Sequence, residues 1–134
     1  MNDNSSYELD TLSQKTILVV EGNIALRQAL CEFFEESGFR VFATANQEQG
    51  LIRLEHDAVH LIVIDLDNMP PEEEALPLCL HAEERGAKVI MLASESHHTP
   101  PQPLISQPLL PLLNKPFHVS HLIYLCQSLL TSSR

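Results

Sequence analysis

Five short stretches place the strongest constraint on what this chain can fold into. They are Thr16 to Val20, Arg40 to Ala45, Leu61 to Ile64, Lys88 to Leu92 and Leu112 to Asn114. Thr16-Ile17-Leu18-Val19-Val20 and Leu61-Ile62-Val63-Ile64 are apolar without polar alternation. Such runs suit strands covered on both faces, as in a parallel sheet. Parallel neighbours need long crossovers, and helical stretches lie between these runs.

After the first run, Asn23 offers an N-cap and Ile24 to Ser37 reads as a helix. Leu26, Leu30, Phe33 and Phe34 keep 3–4 spacing, and Gly38 stops it. Asn46 caps a second, short helix through about Glu55, with Leu51, Ile52 and Leu54 on its apolar side. Pro70-Pro71 breaks the chain, and a third helix begins close to Pro77 and ends near Arg85-Gly86. Val119, Leu122, Ile123, Cys126, Leu129 and Leu130 form one face of a final helix. The alternation argues for a doubly wound α/β sandwich over residues 15–131, preceded by a loose tail at 1–14. The crossover from Ser94 to Pro111 is the exception. Pro100, Pro101, Pro103, Pro108 and Pro111 leave room for a turn or two around Leu104 to Gln107, so a helix there is short or irregular.

A length of 134 residues suits one domain with one core. The net charge of −10 disfavours direct nucleic-acid binding, which needs clustered Lys and Arg. Glu35-Glu36, Glu72-Glu73-Glu74 and Glu83-Glu84 read as solvated helix faces. Cys31, Cys79 and Cys126 are odd in number and far apart, as expected of free thiols in a reducing, cytoplasmic compartment. The seven His residues show no metal spacing, and His97-His98 sits among Ser, Thr and Pro as in a loop. No apolar run approaches the ~18 residues of a membrane span, and no secretory signal precedes the first strand.

The chemistry concentrates at strand ends. Asp65 closes the third run, and Lys115-Pro116-Phe117 follows the fifth. In an open parallel sheet these ends meet in one crevice, where ligands bind. A carboxylate and a lysine there are the minimum equipment for a phosphate-accepting aspartate. A structural reading stands beside it, in which Lys115 pairs with Asp65 or Glu21 and keeps both partners ionised.

Ile17-Leu18-Val19-Val20 followed by an acid, Gly38-Phe39-Arg40-Val41, Leu61 to Asp65 with Met69-Pro70 beyond it, Val89-Ile90-Met91-Leu92 and Lys115-Pro116-Phe117 occur in one order and spacing. Over Lys15 to Leu130 this pattern resembles the response-regulator receiver domain, a five-stranded flavodoxin-like fold with helices on both faces. The resemblance implies two Mg²⁺-holding acids after the first strand, at Glu21 and Gly22. It implies an acceptor at Asp65, a hydroxyl at the position of Ala93 (with Ser94 next to it), the lysine at Lys115, and a cis peptide before Pro116. Leu112 stands where the family usually has an aromatic.

Three further positions depart from the family. Gly22 supplies no side-chain oxygen, Ala93 supplies no hydroxyl, and Glu21 is one methylene longer than the usual Asp. Mg²⁺ favours octahedral oxygen geometry with one or two carboxylates, so Mg²⁺ binding is expected to be weak and not required. Met69-Pro70 also lie one residue further from Asp65 than the family places them. Anchoring the register on Met-Pro would put Leu66 at the acceptor position. The buried run before Asp65 favours Asp65, with one inserted residue in the loop carrying Asp67, a weak candidate for a replacement metal carboxylate.

The expectation is a degenerate, non-enzymatic receiver that acts by protein–protein contact in two-component-type signalling. Its partners would be a histidine kinase or an output protein, and it would be a monomer or weak dimer, without membrane contact. The alternative is a phosphorylatable receiver accepting a phosphoryl group on Asp65 with Mg²⁺. Flavin binding on the same fold is disfavoured, because Val20-Glu21-Gly22-Asn23 lacks a hydroxyl- and glycine-rich phosphate cradle.

Overall fold

The computed structural model describes residues 15–68, 76–94 and 112–131. The expected tail at 1–14, the Met69-Pro70 turn, His97-His98 and the proline-rich crossover all lie outside those residues. Within them the chain runs β1 (Thr16–Val20), α1 (Ile24–Glu36), β2 (Arg40–Thr44), α2 (Gln47–His56), β3 (Leu61–Asp65), a 3₁₀ turn (Leu66–Asn68), α3 (Leu76–Glu84), β4 (Lys88–Ser94), β5 (Leu112–Lys115) and α4 (Val119–Thr131). The strands form one sheet in the order β2-β1-β3-β4-β5, and every pairing is parallel. No described helix is long and apolar enough to cross a membrane.

Strand periodicity sorts the apolar runs into two cores. Ile17, Val19, Leu61, Val63, Ile90 and Leu92 face α1 and α4, where Leu30, Phe34, Leu122 and Cys126 meet them. Leu18, Val20, Ile62, Ile64, Val89 and Met91 face α2 and α3, against Leu54, Leu78, Cys79 and Ala82. Each fully buried Leu, Ile or Phe contributes roughly 1.5–3 kcal/mol relative to exposure. That explains why strands with so few polar positions are obligatory: both faces are interior.

Local signals set the helix limits. Asn23 Oδ1 accepts from the Leu26 N–H at 2.8 Å and starts α1. Ser37 caps its end, and Gly38 takes φ 100°, a conformation that costs a glycine little. Asn46 Oδ1 accepts from the Gln49 N–H at 2.9 Å, while Gln49 Oε1 accepts from the Ala45 N–H at 3.1 Å. That second bond draws Ala45 out of the sheet, so β2 ends at Thr44, one residue before the expected end. Pro77 is the second residue of α3, where its missing N–H costs no helical bond. Next to it, the Leu78 N–H donates to Gln47 Oε1 on α2.

Three strands run past their apolar cores. β3 continues through Asp65, β4 through Ser94 and β5 through Lys115. Hydrophobicity does not extend them; ladder pairing does, with Asp65 opposite Leu92 and Ser94 opposite Lys115. The consequence is functional: three polar residues are carried into the crevice on rigid strand ends.

Candidate functional site

The chain leaves β1 toward β2 on one side and crosses back to β3 on the other, so the sheet reverses direction between β1 and β3. The crevice beyond the C-terminal strand ends at that point is the expected ligand position for this topology. Glu21 follows β1, Asp65 ends β3, Asp67 and Asn68 sit in the 3₁₀ turn, Ser94 ends β4 and Lys115 ends β5. Glu21 and Asp65 are both buried, each 1% exposed.

Asp65 is held on both carboxylate oxygens. Oδ1 accepts from the Asp67 N–H at 2.9 Å. Oδ2 accepts from Lys115 Nζ at 2.7 Å and from Asn68 Nδ2 at 3.0 Å. Burial pushes the Asp65 carboxyl up, but the bonds from Glu21, Lys115 and Asn68 outweigh it and leave it below the usual range. Lys115 also lies 3.2 Å from Asp67 Oδ2. Burial works against its charge, yet the two aspartates more than compensate and raise its pKa.

Asp67 makes a second set of contacts. Its Oδ2 accepts from the Ser94 N–H at 2.9 Å and from Ser94 Oγ at 2.8 Å, in addition to facing Lys115. Burial raises the Asp67 pKa, and the two Ser94 bonds and Lys115 reverse that and lower it. Ser94 is thus the hydroxyl of this crevice, one position beyond the residue that resemblance pointed to. Ala93 is buried and its methyl belongs to the core on the α2 and α3 side.

Glu21 carries the unusual electrostatics. Its Oε2 accepts from the Asn23 N–H at 3.0 Å, while Oε1 is buried without a donor of its own. Burial first, and the adjacent Asp65 second, push its pKa up to about 8. The shift favours the protonated form of Glu21 at neutral pH, and a proton on Oε1 directed at Asp65 would give the orphaned oxygen a partner.

This has a testable consequence for stability. The folded state keeps a proton that the unfolded chain releases near pH 4.5. The contribution is complete below that value, declines as pH rises toward about 8, and is gone above it. Glu21→Gln keeps a donor for Asp65 and cannot ionise. We expect it to flatten the decline, making the variant more stable than the wild type at pH 9 by on the order of 2 kcal/mol. Urea midpoints at pH 5 and pH 9 measure this; equal pH dependence in the two proteins would contradict it.

Gly22 has a structural role that its position alone did not reveal. A Cβ built on it would fall against the carbonyl oxygen of Asn68, well inside contact distance. The 3₁₀ turn after Asp65 thus rests on the surface that a side chain at position 22 would occupy. Asn68 was not singled out in the sequence; the only signal for it was the extra residue between Asp65 and Met69-Pro70.

Glu21 and Asp65 are the residues that would hold a Mg²⁺ ion, which would have to displace a proton on Glu21. Among the described residues no group of three or more His, Cys, Asp or Glu side chains is placed to hold a metal. The fit is that of two carboxylates without a third, since Gly22 adds none and Asp67 is committed to Ser94 and Lys115. Leu112 opens β5 opposite Met91, and the Lys115–Pro116 peptide is cis.

Comparison with known proteins gives a consistent result. The family model described as "Response regulator receiver domain" matches residues 17–127. A probable transcriptional regulatory protein of Picosynechococcus sp. is 31% identical over 96% of this chain, which spans 55% of that relative's length. Among solved structures, a response regulator receiver protein from Sinorhizobium medicae superposes with a TM-score of 0.75 at 19% identity, covering 90% of this chain and 97% of the other. The response regulator protein TrrA from Thermotoga maritima, solved in complex with Mg²⁺-BeF, gives a TM-score of 0.72 at 26% identity, covering 87% of this chain and all of the other.

Proposed function

This chain belongs to the response regulator receiver domain family of two-component signalling, and on that premise we propose that it works as a regulatory interaction module whose phosphorylation switch is self-occupied. The observation that carries this reading is Asp67. Its carboxylate is bound by the Ser94 N–H, the Ser94 hydroxyl and the Lys115 ammonium. Those are the kinds of donor that a phosphoryl group on Asp65 would need, because phosphoryl transfer depends on neutralising charge at the equatorial oxygens. An internal carboxylate holds them instead.

Other features support the same reading. Lys115 and Asn68 already bind Asp65 Oδ2, and a proton on Glu21 would lie where a cation would bind. On this reading the domain needs no cofactor, holds Mg²⁺ weakly, and catalyses no reaction of its own. It acts in the cytoplasm through protein contact with a histidine kinase or an output protein, as a monomer or weak dimer, without touching nucleic acid itself.

The second reading makes Asp65 a working phosphoacceptor that uses Mg²⁺. The Asp65–Lys115 pair and the Mg²⁺-BeF complex of the Thermotoga relative favour it. Acetyl phosphate with Mg²⁺, read by intact mass, separates the two. We expect little phosphorylated wild-type protein and a several-fold gain in Asp67→Ala, where Ser94 and Lys115 are released. Rapid, near-complete labelling of the wild type, abolished in Asp65→Asn, would establish the second reading instead.

A further inference from the structure

The end of the sheet opposite the crevice has a cleft of its own. A cleft of about 360 Å³ opens there, at the N-terminal ends of β1, β3 and β4. Lys15, Arg85 and Lys88 line it, together with His60 and the aliphatic side chains Leu129 and Leu130. The chain holds only eight Lys and Arg against eighteen Asp and Glu. Three of those eight cations border this one cleft, Lys88 among them with a further interaction of its own. Asp57 is the acid in the lining, and it is already bound to Arg53 at 3.1 Å.

The polar groups are positioned by the fold. Arg85 Nη2 donates to the Glu55 carbonyl at 3.1 Å, which fixes the guanidinium between α2 and α3. His60 Nδ1 accepts from the Thr16 N–H at 3.0 Å, so the ring's proton resides on Nε2. Burial and the Lys15 charge lower the His60 pKa, and the ring stays neutral as a donor near neutral pH. The apolar part comes from α4 and from Leu54 and Val59. Among the described residues no Phe, Tyr or Trp lines the cleft, and His60 is the one ring in the lining.

We propose that this cleft binds an acidic peptide segment of a partner protein. Its carboxylates would meet Lys15, Arg85 and Lys88, and an aliphatic side chain between them would lie on Leu129 and Leu130. Charge complementarity selects this occupant, since an acid–apolar–acid segment matches both halves of the lining. The proposal is independent of the crevice, which lies at the other ends of the same strands, and it survives whichever reading of Asp65 holds.

The probe is a fluorescein-labelled peptide, Glu-Leu-Asp-Glu-Leu, titrated with the full chain and followed by anisotropy. Saturable binding with a Kd on the order of 10–100 μM is expected. It should weaken at high salt, and at least about tenfold in both Lys15→Glu and Lys88→Glu. Circular dichroism confirms that each variant is folded, and His121→Glu, exposed in the first turn of α4, should bind as the wild type does. A peptide with Lys in place of its acids should not bind. A cleft of this kind is ruled out if no binding saturates by about 1 mM, if His121→Glu weakens binding as much as Lys15→Glu, or if inorganic phosphate competes as tightly as the peptide, which would mark a bare anion site.

Discussion

Lys115→Met should destabilise the protein by about 3 kcal/mol at pH 7, the range seen when one partner of a buried charge pair is removed. Lys115 reaches Asp65 at 2.7 Å and Asp67 at 3.2 Å, and its side chain is 21% exposed. Asp65 is 1% exposed and cannot recover its solvation from water. Methionine keeps the aliphatic volume, so packing is not the cause of the loss. The deficit should shrink on acidification, because the stranded aspartate can then take up a proton. Urea unfolding at pH 7 and pH 4.5 measures both effects. A loss below about 0.5 kcal/mol would reduce the pair to a surface ion pair in energetic terms.

Restoring the family's second acid should damage this protein. Gly22→Asp places a Cβ against the Asn68 carbonyl, which is backbone and cannot rotate away. Overpacking of this kind costs about 1–3 kcal/mol. The new carboxylate also joins the ionised Asp65 and Asp67 beside one lysine, so like-charge repulsion adds to the loss. Deleting Asn68 withdraws the obstructing carbonyl and returns Met69-Pro70 to the family's spacing from Asp65. In that shortened background Gly22→Asp should cost clearly less, and the two changes should be non-additive. Equal cost in both backgrounds would mean that Gly22 and the inserted residue are unrelated.

That coupling marks the limit of what the sequence disclosed. The strands were legible because both faces of the sheet are interior, which leaves Leu61 to Ile64 and its neighbours without polar positions. Asn23, Asn46, Gly38 and Gly86 announced helix limits through side-chain capping and backbone freedom. Asp65 and Lys115 were legible because they end such strands, and they do meet. The role of Asp67 was not legible. Its number after Asp65 suggested a metal ligand, whereas a 3₁₀ turn carries it onto Ser94 and Lys115. Ser94 likewise looked like a bystander next to Ala93. The extension of β4 to Ser94 comes from pairing with Lys115 of β5, 21 residues later in the chain, and no local pattern reports it. The raised pKa of Glu21 depends on burial and on the nearness of Asp65 together, which single-residue reading does not contain.

The central claim is that Asp67 holds the groups a phosphoryl oxygen would need. Amide NMR of the wild-type chain, titrated with Mg²⁺ and beryllofluoride, tests it most directly. The Asp65, Ser94 and Lys115 amides should stay essentially unmoved in the wild type and shift saturably in Asp67→Ala. Saturable shifts centred on Asp65, Ser94 and Lys115 in the wild type itself would contradict it.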